Sequence, residues 1–167
     1  FSLGRLYTLN DEYDRAIEAI DFALTCNNAS PDSELILLKA FCLFMNESYE
    51  QAIKSCNEIL ADDNVQERVI PLLAECYVNT EDFEAAYSLL KQLLMNKPFP
   101  QEASVYLNFI RCCAELGHDD EALEYLKKAS HFFPQNIRIQ SLQALLQIAK
   151  GDMDDKAAAI GIHRLKE

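Results

Sequence analysis

Residues Ile70–Pro98 read IPLLAECYVNTEDFEAAYSLLKQLLMNKP. The first half sets Leu73, Ala74 and Tyr77 on one face at helical spacing. A polar run, Asn79-Thr80-Glu81-Asp82, interrupts it. Phe83, Ala86, Leu90 and Leu93 then mark a second apolar face, and Pro98 stops the second helix. The stretch is a helix–turn–helix unit, and the same unit recurs in both directions along the chain.

The recurrence is strict in its spacing. Ala16, Ala52, Ala86 and Ala122 close the segments YDRA, YEQA, FEAA and DDEA, at separations of 36, 34 and 36 residues. Twelve residues before each stands Gly4, Ala40, Ala74 or Ile110, and seven after each stands Ala23, Ile59, Leu93 or Ala129. The extra residues fall only between units, in NNASPD and NKPFPQ. Rigid helical hairpins tolerate insertions there and nowhere else. Small residues at fixed positions let two helices cross closely, while larger neighbours fill the surrounding space.

The periodicity predicts helices over 1–9, 12–26, 32–45, 49–60, 67–79, 82–95, 101–116, 119–132 and 135–149. Ser30 reads as an N-cap with Pro31 at the first helical position. Pro71 is placed in the first turn of its helix, and Pro100 opens the helix that Gly117 closes. Gly151 is read as the end of the last helix. Strand-like alternation of Val, Ile and Thr is scarce, so the class is all-helical.

This pattern resembles the tetratricopeptide repeat, whose period is about 34 residues. Leu3-Gly4-x-x-Tyr7 leads to Ala16, Ile20 and Ala23. Leu73-Ala74-x-x-Tyr77 leads to Ala86, Leu90, Leu93 and Pro98, and Phe109-Ile110-x-x-Cys113 leads to Ala122, Leu126, Ala129 and Pro134. The second unit departs at Lys39, where an apolar residue is usual, but keeps Ala40, Leu43 and Ala52. The resemblance implies an all-α solenoid, a right-handed superhelix of stacked antiparallel helix pairs. The whole of 1–167 reads as one array with units at about 1–30, 31–64, 65–99 and 100–134. Residues 135–167 form a divergent fifth unit or cap, with Lys156 in place of the key alanine and Gly161 interrupting. The chain opens at Phe1 in what reads as mid-helix, so a segment of a longer polypeptide is expected.

Composition narrows the function. Acidic residues outnumber basic ones by 27 to 15, a formal charge of −12. Nucleic acid and anionic membrane both demand a basic footprint, so neither is expected as a partner. No apolar run approaches the ~20 residues that span a bilayer. The six cysteines form no CxxC pair, and the three histidines are not spaced to join them, so no metal and no cofactor is expected. Most cysteines occupy apolar helix positions, where a thiol acts as a small hydrophobe. That suits a reducing compartment, cytoplasmic or nuclear. The vicinal Cys112-Cys113 pair could be reactive only in a site that lowers its pKa, and core packing is the simpler reading. His118 and His131 flank one helix as exposed or capping residues. No GxSxG, phosphate-binding glycine loop or HExxH is present, so no catalytic residue is assigned and the chain is read as non-enzymatic.

The acids gather where the second helix of each pair begins, as in Glu81/Asp82/Glu84 and Asp119/Asp120/Glu121. Negative charge is favourable at a helix N-terminus, which accounts for them. An acidic edge holding a basic partner segment is the alternative. The resemblance implies peptide or helix binding on a concave face lined by the first helix of each pair. Mapped onto this chain, that face comprises Arg5, Thr8 and Leu9; then Glu34, Leu37, Phe41, Phe44 and Met45; then Glu75, Val78 and Asn79; and finally Leu107, Arg111, Ala114 and Glu115. Phe41, Phe44 and Met45 suggest an apolar patch for a partner's helix, or packing against the next hairpin.

The expected function is therefore a protein–protein interaction scaffold or adaptor within a multisubunit complex. A substrate-recruiting arm of an enzyme whose catalytic domain lies outside these residues is the alternative. A chaperone cofactor of the carboxylate-clamp type ranks last: Arg5 stands near a clamp position, but Phe41 replaces the required asparagine and no matching lysine follows. Self-association is compatible with the sequence.

Overall fold

The computed structural model describes residues 12–26, 32–95 and 102–152, with side chains described as far as residue 146 in the last helix. These residues form helices α1 (Tyr13–Cys26), α2 (Ser33–Met45), α3 (Tyr49–Ile59), α4 (Gln66–Asn79), α5 (Phe83–Met95), α6 (Ala103–Glu115), α7 (Asp119–Phe132) and α8 (Ile137–Asp152). Among the described residues there is no strand. The helix expected over 1–9, the Ser30/Pro31 start, Pro98, Pro100 and the tail beyond 152 lie outside the described residues.

Most boundaries fall within one to three residues of the sequence expectation, and three local signals read differently. Helix α2 is capped by Asp32, whose carboxylate accepts from the Glu34 amide at 3.0 Å. Helix α4 begins at Gln66 because a turn over Asp62–Val65 feeds it, so Pro71 sits inside the helix rather than in its first turn. Gly151 lies within α8 rather than ending it.

The chain divides into two compact units, Phe1–Asp82 and Phe83–Glu167. In the first, α1, α2, α3 and α4 each pack on the next, and α2 also touches α4. Ala16 and Ile20 of α1 meet Leu35 and Cys42 of α2. Ala52 of α3 meets Leu43 and Cys76 from the helices on either side. In the second unit, α5 packs on α6, α6 on α7 and α7 on α8. Phe109 is central there, stacked on Tyr87 at 5.3 Å and edge-on to Tyr125 at 4.6 Å. Ala16, Ala52 and Ala86 are completely buried, and Ala122 is 1% exposed. The small residues thus occupy the interior positions that their spacing demands.

Among the described residues, three of the turns that follow a first helix are built one way. Glu47, Glu81 and Gly117 hold left-handed φ values of 57°, 62° and 74°. At each turn the amide of the left-handed residue and that of the next donate back to two carbonyls in the last turn of the preceding helix. Glu47 reaches Phe44 and Ser48 reaches Leu43; Glu81 reaches Val78 and Asp82 reaches Tyr77; Gly117 reaches Ala114 and His118 reaches Cys113. This is the Schellman arrangement, which satisfies carbonyls that a helix end would otherwise leave free.

Polar contacts also follow the repeat. Lys39, the departure noted above, pairs with Asp21 at 2.6 Å. Asn46 donates to Asp14 at 2.8 Å, Ser33 to Asp62 at 2.5 Å, and Tyr87 to Glu121 at 2.6 Å. The last three join residues 32, 29 and 34 positions apart, close to one repeat, whereas Lys39 and Asp21 belong to neighbouring helices.

Candidate functional site

Each unit carries a groove between the first helices of successive pairs. In the first unit, Glu34, Leu37, Leu38 and Phe41 of α2 face Arg68 and Leu72 of α4 around a space of about 240 Å³. In the second, Leu107, Asn108, Ile110, Arg111, Ala114 and Glu115 of α6 face Ile137, Arg138, Ser141 and Leu142 of α8 around about 380 Å³. Both are open and mostly apolar. The larger lies within the range of volumes typical of ligand sites.

The period explains why these side chains meet. In a helix, positions three and four apart share a face. Leu107, Arg111, Ala114 and Glu115 therefore project from α6 together. Glu34, Leu37 and Phe41 do the same on α2, and each groove is closed by the next first helix. Arg68 bridges to Glu34 at 2.7 Å, joining the two sides of the smaller groove. The Arg111 guanidinium lies 5.8 Å from the Phe83 ring centre, a cation–π contact rather than an ion pair.

The residues expected on the binding face separate on inspection. Leu37, Phe41, Leu107 and Arg111 line the grooves. Phe41 and Met45 are each 42% exposed, and Met45 ends α2. Phe44 is half-buried, 5.7 Å from Tyr49, and packs on the Leu43–Ala52–Cys76 cluster, so its ring belongs to the core. Val78 is buried at 2% exposure and does not reach the surface. Asn79 donates to the Glu75 carbonyl at 2.8 Å, and neither residue lines a groove. Arg5, Thr8 and Leu9 lie outside the described residues. The sequence reading did not name Arg68, Leu72, Ile137, Arg138, Ser141 or Leu142. The period could have found two of them: Arg68 follows Glu34 by 34 residues, and Arg138 follows Arg68 by 70.

The acids at helix starts are partly engaged. Glu121 accepts from Tyr87 and pairs with Lys91 at 3.1 Å, while Lys91 donates to the Tyr87 oxygen at 2.6 Å. Partial burial raises the Glu121 pKa, but bonds from Tyr87 and Lys91 outweigh this and hold it below the usual carboxylate range. The same network raises Lys91, chiefly through Tyr87. Asp62 is lowered by the Ser33 hydroxyl and then by the Asn64 amide.

The thiols are suited to packing. Burial pushes Cys42 up to about 11 and Cys56, Cys76, Cys112 and Cys113 up to about 12, away from the thiolate form that reacts. Cys26 alone among the six is exposed, and all six are unbridged. His118 precedes α7 with its ring edge-on to Tyr87 at 5.0 Å. Among the described residues, no group of three or more His, Cys, Asp or Glu could hold a metal ion, and no helix is long and apolar enough to cross a membrane.

Comparison with known proteins agrees with this architecture. A sequence model of the tetratricopeptide repeat matches residues 43–104 and 81–146. The general transcriptional corepressor ssn6 of Schizosaccharomyces pombe (strain 972 / ATCC 24843) is 30% identical over 105 residues, which span 62% of this chain and 9% of that protein. A crystal structure of MamA matches with a TM-score of 0.77 at 19% identity, over 99% of this chain and 97% of that one. YrrB, described as a TPR protein with an unusual peptide-binding site, matches with a TM-score of 0.73 at 19% identity, over 96% of this chain and 83% of that one. At these identities the two structures share the fold, an all-α solenoid of helical repeats. With more than half of its length matched by the repeat model, and with its small residues buried in register, the chain belongs to the tetratricopeptide repeat family.

Proposed function

We propose that this chain is a non-enzymatic scaffold that holds an extended or helical segment of a partner protein in its grooves, within a multisubunit complex. The observation that carries this reading is the α6–α8 groove. It is an open apolar floor edged by two arginines, on a helix face that the core does not consume. Ile137 lines it while 77% exposed, and such a side chain gains most by being covered by a partner. The peptide-binding site in YrrB's description and the corepressor match both favour recognition over catalysis. The five buried, unbridged thiols favour a reducing compartment, cytoplasmic or nuclear.

The test uses charge placed on exposed apolar residues, which leaves the fold intact. Ile137→Glu and Phe41→Glu should each weaken binding of the native partner at least about tenfold. Phe22→Glu should not, because Phe22 is 72% exposed yet lines neither groove. Equal binding by all three variants would remove the groove assignment.

A further inference from the structure

We infer that the α6–α8 groove takes a partner segment presenting a carboxylate beside an apolar anchor. This rests on the groove being a binding surface, and it specifies the chemistry of what binds. The chain carries a formal charge of −12, yet the lining of this groove holds two arginines against one acid, Glu115. The repeat itself shows what is unusual. Arg68 and Arg138 stand 70 residues apart, at corresponding positions of α4 and α8. In the first unit Arg68 is neutralised by Glu34 on the neighbouring first helix, at 2.7 Å. The residue 70 positions after Glu34 is Ser104, which cannot carry that charge. The internal counter-ion of the first groove is therefore missing from the second.

Arg111 adds to the imbalance. Its contact is with the Phe83 ring, and neither Arg111 nor Arg138 forms an ion pair among the described residues. Beside them lie Leu107, Ile110, Ile137 and Leu142. Both arginines are exposed, and each guanidinium offers paired donors that match a carboxylate. An apolar partner lacking a carboxylate would cover these arginines without supplying an acceptor, which is unfavourable. A basic partner would meet like charge. Nucleic acid would supply anions too, but the surplus of acid over the rest of the chain opposes a polyanion.

The experiment is fluorescence anisotropy of the full-length protein with three short labelled peptides. All share the same leucine anchors, and the flanking residues are glutamate, glutamine or lysine. The glutamate peptide should bind about tenfold tighter than the glutamine peptide at low ionic strength, with the lysine peptide weakest. Added salt should narrow the gap. The double variant Arg111→Gln with Arg138→Gln should bind glutamate and glutamine peptides alike. Equal binding of all three by the unaltered protein would overturn the acidic partner and leave the groove reading standing. A glutamate preference that survives the double variant would place the acid-binding site elsewhere. If none of the three binds, the groove reading itself fails.

Discussion

Replacing Gly117 by alanine and Glu47 by glycine should move stability in opposite directions, because both residues hold the same left-handed turn. Gly117 has φ 74°, and a Cβ added there would meet nothing within 4 Å. No clash contributes, so the cost is conformational alone. A left-handed conformation costs an L-residue about 1–2 kcal/mol. Alanine recovers about 0.4–1 kcal/mol of this by restricting the unfolded chain. Gly117→Ala should therefore destabilise by roughly 0.5–1 kcal/mol. Glu47 already bears the penalty at φ 57°, with an exposed side chain and no ion pair among the described residues. Glu47→Gly should stabilise by a similar amount, raising Tm by about 1–4 °C. Glu81→Gly, at φ 62° one repeat later, serves as a replicate. Urea unfolding reads the result as a shift in midpoint at constant slope. A neutral Gly117→Ala, or a destabilising Glu47→Gly, would refute the claim that the turn geometry belongs to the repeat and not to the residue.

Other expectations follow from the packing. Ala52→Leu should lower stability by about 1–3 kcal/mol, since Ala52 is enclosed by Leu43 and Cys76; unchanged thermal unfolding would contradict the register. The buried thiols, raised from an ordinary 9.0 to about 11 or 12, keep their protons longer in the folded state. Their stabilising effect is complete below pH 9 and is lost as pH rises toward about 12, so the urea midpoint should fall progressively above pH 9. At pH 8 a thiol reagent should modify Cys26 first, read by mass spectrometry before and after unfolding. Tyr87→Phe should keep the stack on Phe109 but lose the bond to Glu121, costing about 1 kcal/mol or less in a melting experiment.

Most of the fold was legible because the period is carried by small residues that tolerate no alternative. An alanine at 16, 52, 86 and 122 reports a crossing that any larger side chain would push apart. Boundaries were legible only where a local signal stood alone. Gly117 announced its turn, whereas Glu47 and Glu81 adopt the same conformation with no glycine to mark it. Pro71 misled because prolines favour first turns, and here the Asp62–Val65 turn started the helix earlier. The site was legible in part. Helical spacing selects one face of α2 and α6, but it cannot say which members of that face are covered. Phe44 and Val78 share the expected spacing and are taken by the core. The opposite wall, Arg138 to Leu142, needed the repeat carried one helix further along the chain.

The central claim, that partners are held along these helix faces, is met most directly by methyl NMR of the protein titrated with its native partner segment. The account predicts shifts concentrated on Leu107, Ile110, Ile137 and Leu142. Shifts confined instead to residues outside both grooves, such as Leu24 and Ile53, would contradict it.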